Sequence, residues 1–179
     1  MFPRPTIEAF DRYLADVGLS FDAIVIGGSA LCLLGVTDRP TRDFDVLAPL
    51  LSAEVSSGAR SFARAQRELN VDLGDDWLNN GPMQLTEVLP SDWRIRVQPL
   101  FKGSALVLDT LGRPDLLKTK LFALCDRGTD LSDCLALEPT ADELTEATPW
   151  LVVQDANPDW TSHVTATLTD LRRRLGHGV

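Results

Sequence analysis

A short apolar segment that ends in two glycines and a serine is the feature that most constrains how this chain folds. Asp22–Ile26 has the length of a buried strand, and Gly-Gly-Ser follows it directly at 27–29. The next residues, Ser29–Leu34, fit a helix, so the glycines form a turn between strand and helix. Alternating apolar residues then predict a second strand over Asp43–Ala48, which Pro49 ends.

The rest of the chain divides into a region of strands and a region of helices. We predict a helical turn over Asp75–Asn80 and strands over Trp93–Phe101 and Ala105–Leu108, joined at Lys102-Gly103. From Pro114 onward the pattern is helical throughout, and Pro149 suits the first turn of a further short helix.

This division predicts the fold class. Strands before about residue 110 and helices after it predict an α+β fold, in which helices flank a mixed sheet of about four or five strands and a C-terminal helical region follows. We expect a core domain over 1–110 and a helical region over 111–179 packed on it. A helix near the N-terminus carries Ile7, Phe10 and Val17 on its apolar face.

Composition excludes several classes of protein. Hydrophobic residues make up 44% of the 179 residues, which excludes a disordered chain. No apolar run reaches about 18 residues, so we expect no membrane span. Three cysteines without ligand-like spacing indicate reduced thiols and a cytoplasmic protein. The two histidines make a zinc site or a histidine-activated nucleophile a poor prediction.

The net charge of the chain limits which nucleic acids and ligands it can bind. The chain has 17 basic and 26 acidic residues, a net charge of −9. Long DNA requires a basic surface, so we expect no partner of that kind. A small anionic ligand, or one end of an RNA, remains compatible with this charge.

Two carboxylates, Asp43 and Asp45, lie two residues apart on the second predicted strand, so their side chains point the same way. Like charges on one face repel, and burying them without a partner is costly. A divalent cation removes this cost, and Mg²⁺ binds one or two protein carboxylates together with phosphate oxygens. The alternative is that both side chains are solvated, as most aspartates are.

The glycine turn supplies a second element of a phosphate site. Backbone N–H groups at the start of a helix bind phosphate, and glycine lets the ligand approach closely. We predict that Gly28 contacts the phosphates and has a positive φ. A metal on the nearby aspartates would bridge the same phosphates, which suits nucleotidyl transfer. A turn with a structural role alone is the alternative.

The combined pattern resembles the GG/GS…DxD signature of the DNA polymerase β-type nucleotidyltransferase superfamily. The residues that carry the resemblance are Gly27, Gly28, Ser29, Arg39, Thr41, Asp43, Phe44 and Asp45. The fuller pattern, with the arginine and the threonine, is similar to the bacterial abortive-infection, toxin-type branch. The resemblance implies a nucleotidyltransferase-like core over 1–110.

The resemblance also implies site roles and partners. It implies that Asp43 and Asp45 are catalytic and bind Mg²⁺ or Mn²⁺, and that the glycine turn, Arg39 and Thr41 bind an NTP. The implied reaction moves NMP to a hydroxyl group on RNA, protein or a small molecule. A toxin role would require a neutralising antitoxin partner.

A second segment, Leu116–Leu137, resembles downstream helices of the same branch and points to Lys120 as a further catalytic residue. On a helix, Lys120 shares a face with Leu117 and Leu124. It therefore either extends along that face to solvent or lines a cleft in which phosphate needs a cation.

A third carboxylate is usual in the superfamily on a later strand, and the predicted strand Trp93–Phe101 has none. The candidates are Asp72, Asp109 and Asp130, which are otherwise a loop residue, a turn residue and a helix N-cap, and Asp133, otherwise a solvated helix position. The sequence therefore leaves two functions open. One is an active nucleotidyltransferase, and the other is a catalytically degenerate fold that binds a nucleotide or a protein.

Overall fold

The structure, a computed structural model, describes residues 3–177, which fall into two compact units divided after Gly112. The elements of the first unit are α1 (Pro3–Asp16), β1 (Phe21–Ile26), α2 (Gly27–Leu33), β2 (Phe44–Ala48), α3 (Ala53–Glu68), β3 (Leu78–Asn79), α4 (Leu85–Val88), a 3₁₀ turn (Trp93–Arg96), β4 (Gln98–Lys102) and β5 (Leu106–Thr110). Those of the second are α5 (Arg113–Arg127), α6 (Leu131–Ala136), α7 (Ala141–Leu151) and α8 (Trp160–Arg174).

The sheet of the first unit has five strands in the order β3-β2-β1-β5-β4. β1 is antiparallel to β2 and parallel to β5, while β3 is parallel to β2 and β4 is antiparallel to β5. This mixed sheet, together with the helices around it and the helical C-terminal region, confirms the predicted α+β fold class. None of the helices within 3–177 is both long enough and apolar enough to cross a membrane.

The pairing of β1 with β2 brings the end of one strand beside the start of the other. Ile26 pairs with Asp45 and Val25 pairs with Val46, whereas Ile24 pairs with Ala48, so Leu47 is an extra residue in a bulge. The bulge interrupts the strict alternation that we expected over Asp43–Ala48, and Leu47 is fully buried.

An aromatic cluster forms the centre of the core of the first unit. The ring of Trp77 lies 5.0 Å from that of Phe10, 5.7 Å from that of Phe62 and 6.2 Å from that of Phe44. Trp77 Nε1 also donates a hydrogen bond of 3.0 Å to the carbonyl of Ala59 in α3. These contacts join α1, α3 and the start of β2 around one indole, and burying aromatic side chains of this size dominates core energetics.

A buried carboxylate ties α1 to the β4–β5 turn. Asp11 accepts backbone hydrogen bonds from Ser104, Ala105 and Leu106 and a hydroxyl hydrogen bond from Ser104, at 2.8–3.1 Å. A Cβ on Gly103 would overlap the carboxylate of Asp11, so glycine is required there. Burial raises the pKa of Asp11, but the hydrogen bonds outweigh burial and leave the pKa below its ordinary value.

One predicted element of the first unit is wrong, and another is wrong in its first half, since β4 covers only its second half. Asp75–Asn80 contains the short strand β3 rather than a helical turn, because the Phe44 N–H donates to the Trp77 carbonyl at 2.5 Å and draws the segment to β2. Within Trp93–Phe101, the first four residues form a 3₁₀ turn, in which the Trp93 N–H donates to Pro90. Apolar residues at alternate positions in this segment are typical of a strand with one buried face. In the 3₁₀ turn, however, Ile95 is 83% exposed.

Helix ends account for two further differences. Val17 lies beyond the end of α1 and is 48% exposed, so it does not extend the apolar face. Pro149 lies inside α7 near its C-terminal end and starts no new helix. The start of α7 follows expectation, since Thr140 and Glu143 form a capping box with hydrogen bonds of 2.9 and 3.1 Å.

Candidate functional site

The carboxylate of Asp45 lies against the turn that leaves β1. A Cβ added to Gly27 would lie 2.5 Å from Asp45 Oδ2, and Gly27 has a φ of +83°. Both the left-handed backbone and the close approach require glycine at this position. The positive φ that we predicted for Gly28 therefore belongs to Gly27, the first residue of α2 and the one that faces Asp45.

Gly28 marks a second close approach. A Cβ at Gly28 would lie 3.5 Å from Arg39 Nη2 and 3.6 Å from Thr41 Oγ1. The segment between α2 and β2 thus returns over the glycine turn and brings a guanidinium and a hydroxyl to it. Thr41 Oγ1 also donates a hydrogen bond of 3.3 Å to the carbonyl of Asp43. Five of the predicted nucleotide and metal residues, namely Gly27, Gly28, Arg39, Thr41 and Asp45, are therefore adjacent in space.

Ser29 has an unsatisfied hydroxyl group. Its side chain is fully buried, and Ser29 Oγ has no hydrogen-bond partner among the described residues. Buried hydroxyls are nearly always hydrogen-bonded, and leaving one unpaired costs about 1–3 kcal/mol. An orphaned hydroxyl directly after the two glycines is consistent with a site whose ligand supplies the missing partner.

Asp43 is exposed and lies one residue before β2, so the strand is one residue shorter at its start than predicted. Helix and strand ends commonly shift by a residue, and the spacing of the two aspartates is unaffected. No group of three or more His, Cys, Asp or Glu side chains within 3–177 is arranged to hold a metal ion. Two carboxylates still match the donor set of Mg²⁺, which takes its remaining ligands from phosphates and water.

The residue beside Asp45 on its other side is Asn79, which sequence reasoning missed. β3 is parallel to β2, and its register pairs Asp45 with Asn79. Residues paired in register point to the same face of a sheet. The sequence signal was weak, because a strand of two residues has no period and Asn80-Gly81 is typical of a turn.

Two candidates for a third carboxylate, Asp109 and Asp72, lie in the first unit. Asp109 is in β5, paired with Ile24 of β1, so the interpretation as a turn residue is wrong. Because Ile24 and Ile26 share a face of β1, Asp109 shares the sheet face of Asp45. Asp72 is exposed in the loop between α3 and β3, as expected.

In the second unit, Lys120 belongs to a buried ionic cluster. Its side chain is 7% exposed, and Lys120 Nζ lies 2.8 Å from Asp133 Oδ2 and 3.4 Å from Asp130 Oδ1. Lys120 therefore does not extend to solvent, and Asp133, whose side chain is 1% exposed, is not a solvated helix position. Asp130 occupies the N-cap position of α6 with a φ of +65°, but its side chain makes no cap hydrogen bond. A role for Lys120 at a phosphate stays a prediction.

The cysteines of the second unit are structural. Cys125 and Cys134 are buried free thiols. Burial raises the pKa of Cys125 to about 11, and burial with the neighbouring Asp130 carboxylate raises that of Cys134 to about 12. Both thiols stay protonated at neutral pH, which makes them poor nucleophiles. A cavity of about 480 Å³ between α5 and α8 is lined by Cys125 and His163 and contains none of the predicted site residues.

A comparison with known proteins identifies a family for this chain. Residues 6–141 match the model of a family described as nucleotidyltransferases of unknown function (DUF6036). No curated protein and no solved structure matches the chain. The matched residues include the glycine turn, both aspartates and the Lys120 cluster, and they cover well over half of the sequence. The chain belongs to the DUF6036 family of nucleotidyltransferases.

Proposed function

We propose that the protein is a Mg²⁺-dependent nucleotidyltransferase that moves NMP from an NTP to a hydroxyl acceptor. The observation that carries the proposal is the packing of Asp45 against Gly27, with Arg39 and Thr41 over Gly28. This arrangement brings a carboxylate, a guanidinium and a glycine turn together. A carboxylate suits a metal, and a guanidinium and a close backbone approach suit phosphate.

The proposed roles follow from the chemistry of each group. Asp43 and Asp45 would hold the metal, which would supply positive charge to the triphosphate and its leaving pyrophosphate. Gly27 and Gly28 let a phosphate reach the backbone, and Ser29 Oγ donates to it the hydrogen bond that it does not make among residues 3–177. Together with Arg39 and Thr41, these residues orient the triphosphate for attack from the acceptor side.

The acceptor hydroxyl loses a proton during transfer, and a carboxylate is the usual base. Asp109 is our first candidate, since the register of β5 directs it to the sheet face of Asp45. Asp72 and Asp130 remain candidates from the sequence, and Lys120 is proposed as a further cation for the phosphates. The acceptor is a hydroxyl group on RNA, protein or a small molecule.

The resemblance to the toxin-type branch supports a proposal about the biological role of the protein. We propose a cytoplasmic toxin whose activity an antitoxin partner neutralises, and the free thiols agree with a reducing compartment. The competing function is a degenerate fold that binds NTP without transferring NMP. Asp109, our first candidate for the base, lies two strands from Asp45 in the sheet. This separation is the observation that favours the second function.

One experiment separates these functions. Purified protein is incubated with Mg²⁺ and each labelled NTP, first alone to measure binding and then with total RNA and total protein to measure transfer. Asp45→Asn tests the site, and Asp22→Asn, an exposed aspartate in β1, is the matched control. We expect transfer by the wild type and by Asp22→Asn and none by Asp45→Asn. Binding without labelling of any acceptor would favour the degenerate fold, and no NTP binding would contradict both functions.

A further inference from the structure

We propose that Asn79 supplies the third side-chain oxygen of the metal site formed by Asp43 and Asp45, an inference that rests on the proposed function. The parallel register of β2 and β3 pairs Asp45 with Asn79, so the two side chains leave the same face of the sheet. Adjacent strands lie about 5 Å apart, which is within the span of one coordinated cation. An amide oxygen is a ligand of the same hard type as a carboxylate oxygen, but it carries no charge.

The turn after β3 fixes the orientation of this amide. Asn79 Oδ1 accepts a hydrogen bond of 2.7 Å from the Gly81 N–H, and Asn79 Nδ2 donates one of 3.4 Å to the Asp76 carbonyl. A Cβ on Gly81 would lie 2.8 Å from Asn79 Oδ1, so the glycine allows the close contact. A carbonyl oxygen has two lone pairs, and the contact with Gly81 uses one of them. No second hydrogen bond reaches Asn79 Oδ1 from the residues that the structure describes, so the other lone pair is available to a ligand.

The neighbouring asparagine shows what a purely structural amide looks like in the same segment. Asn80 Oδ1 accepts from the Leu51 N–H at 2.8 Å, and Asn80 Nδ2 donates to the carbonyls of Val46 and Pro49 at 3.1 and 3.0 Å. All three bonds join distant parts of the backbone, so Asn80 ties β2 to β3. Asn79 bonds within its own turn, at separations of two and three residues.

The distance across the sheet favours Asn79 over Asp109 for this position. Asp109 lies on β5, two strands from β2, which is about 10 Å of lateral separation before any offset along the strands. Asn79 lies on the adjacent strand. Asp109 therefore fits the acceptor side of the proposed site, and Asn79 fits the metal side.

A neutral third ligand changes how the site binds its cation. Asp43 and Asp45 together carry two negative charges, which balance one divalent ion, whereas a third carboxylate would leave an excess charge. The native site should therefore bind a free cation weakly and gain most of its affinity when a triphosphate supplies further oxygens. Metal binding in this protein is accordingly coupled to nucleotide binding through Asn79.

The test replaces the neutral amide of Asn79 by a charged carboxylate. Binding of Mn²⁺ alone, without nucleotide, is measured by the loss of the free-ion paramagnetic resonance signal for the wild type and for Asn79→Asp. Aspartate keeps the oxygen that accepts from Gly81, so the turn is preserved. Asn70→Asp, which adds the same charge in an exposed loop of the same unit, is the matched control. The double variant Asp45→Asn, Asn79→Asp shows whether any gain requires Asp45.

We expect Asn79→Asp to tighten Mn²⁺ binding by about tenfold or more, Asn70→Asp to change it by less than about twofold, and the double variant to lose the gain. Equal Mn²⁺ affinities for Asn79→Asp and the wild type, with unchanged melting temperatures, would overturn the inference and leave Asn79 as a turn residue. A gain that persists in the double variant would also overturn it. Because no nucleotide is present, failure here is distinct from failure of NMP transfer.

Discussion

Replacing Gly27 by alanine tests the geometry of the site with a single methyl group. Gly27 has a φ of +83°, and a residue with a Cβ pays about 1–2 kcal/mol in a left-handed conformation. The new methyl would also lie 2.5 Å from Asp45 Oδ2, well inside the usual contact distance. Either the carboxylate must rotate away or the end of β1 must separate from β2.

The strain and the displacement together set the expected size of the effect. We expect Gly27→Ala to destabilise the protein by about 2–3 kcal/mol. For a protein of this size, that loss lowers the melting temperature by roughly 4–12 °C. The displaced Asp45 should also abolish the stabilisation that Mg²⁺ with NTP gives the wild type.

Gly28→Ala is the matched control for the same turn. Its methyl would lie 3.5 Å from Arg39 Nη2 and 3.6 Å from Thr41 Oγ1, which is ordinary contact. A helical glycine with no positive φ gains up to about 1 kcal/mol when it becomes alanine, so the variant should melt at or above the wild-type temperature. The assay is thermal unfolding followed by circular dichroism, with and without Mg²⁺ and NTP. If Gly27→Ala melts like the wild type, or if Gly28→Ala is the less stable variant, the packing of Asp45 against Gly27 is refuted.

Three further predictions concern stability. The lowered pKa of Asp11 means that its carboxylate stabilises the fold above about pH 4 and that this contribution is lost as the pH falls through the folded-state pKa. The stability gap between the wild type and Asp11→Asn should therefore close on acidification, and a gap unchanged between pH 7 and pH 3 would contradict this. Lys120→Met removes the ammonium 2.8 Å from buried Asp133 and should cost about 3–5 kcal/mol in urea unfolding, with recovery in the double variant that also carries Asp133→Leu. An unchanged urea midpoint would show that the pair is not buried. Thr140→Ala removes the side-chain acceptor for the Glu143 N–H and should cost about 1 kcal/mol, whereas Thr165→Ala, at an exposed position within α8, should cost clearly less.

Part of the fold was predictable because its signals are local. The apolar segment before the glycines, the hairpin at Lys102-Gly103 and the capping box at Thr140 each depend on residues close in sequence. β3 was not predictable, because a strand of two residues exists only through its pairing with β2. The 3₁₀ turn was mistaken for a strand, since Trp93, Ile95 and Val97 alternate but the turn leaves Ile95 exposed.

The candidate site was also predictable only where its signals are local in sequence. The sequence predicts that Asp43, Asp45 and the glycine turn belong together, and the contacts of Gly27 and Gly28 bring Asp45, Arg39 and Thr41 to that turn. The prediction that Gly28 takes the positive φ was wrong, because both glycines lie in the same turn and the sequence does not distinguish them. Asn79 was missed and Asp109 was only one of several candidates, because the face of the sheet on which each lies follows from register between strands distant in sequence.

The central claim is that Asp45 and the glycine turn bind a metal–nucleotide complex, and titration calorimetry of NTP in the presence of Mg²⁺ tests it most directly. The wild type should bind at least one NTP with Mg²⁺ and lose most of that affinity when Mg²⁺ is removed. Asp45→Asn should lose it in either condition, while Asp22→Asn, exposed on β1, should bind like the wild type. Equal NTP affinity of Asp45→Asn and the wild type, or no binding of any NTP by a folded wild type, would contradict the account.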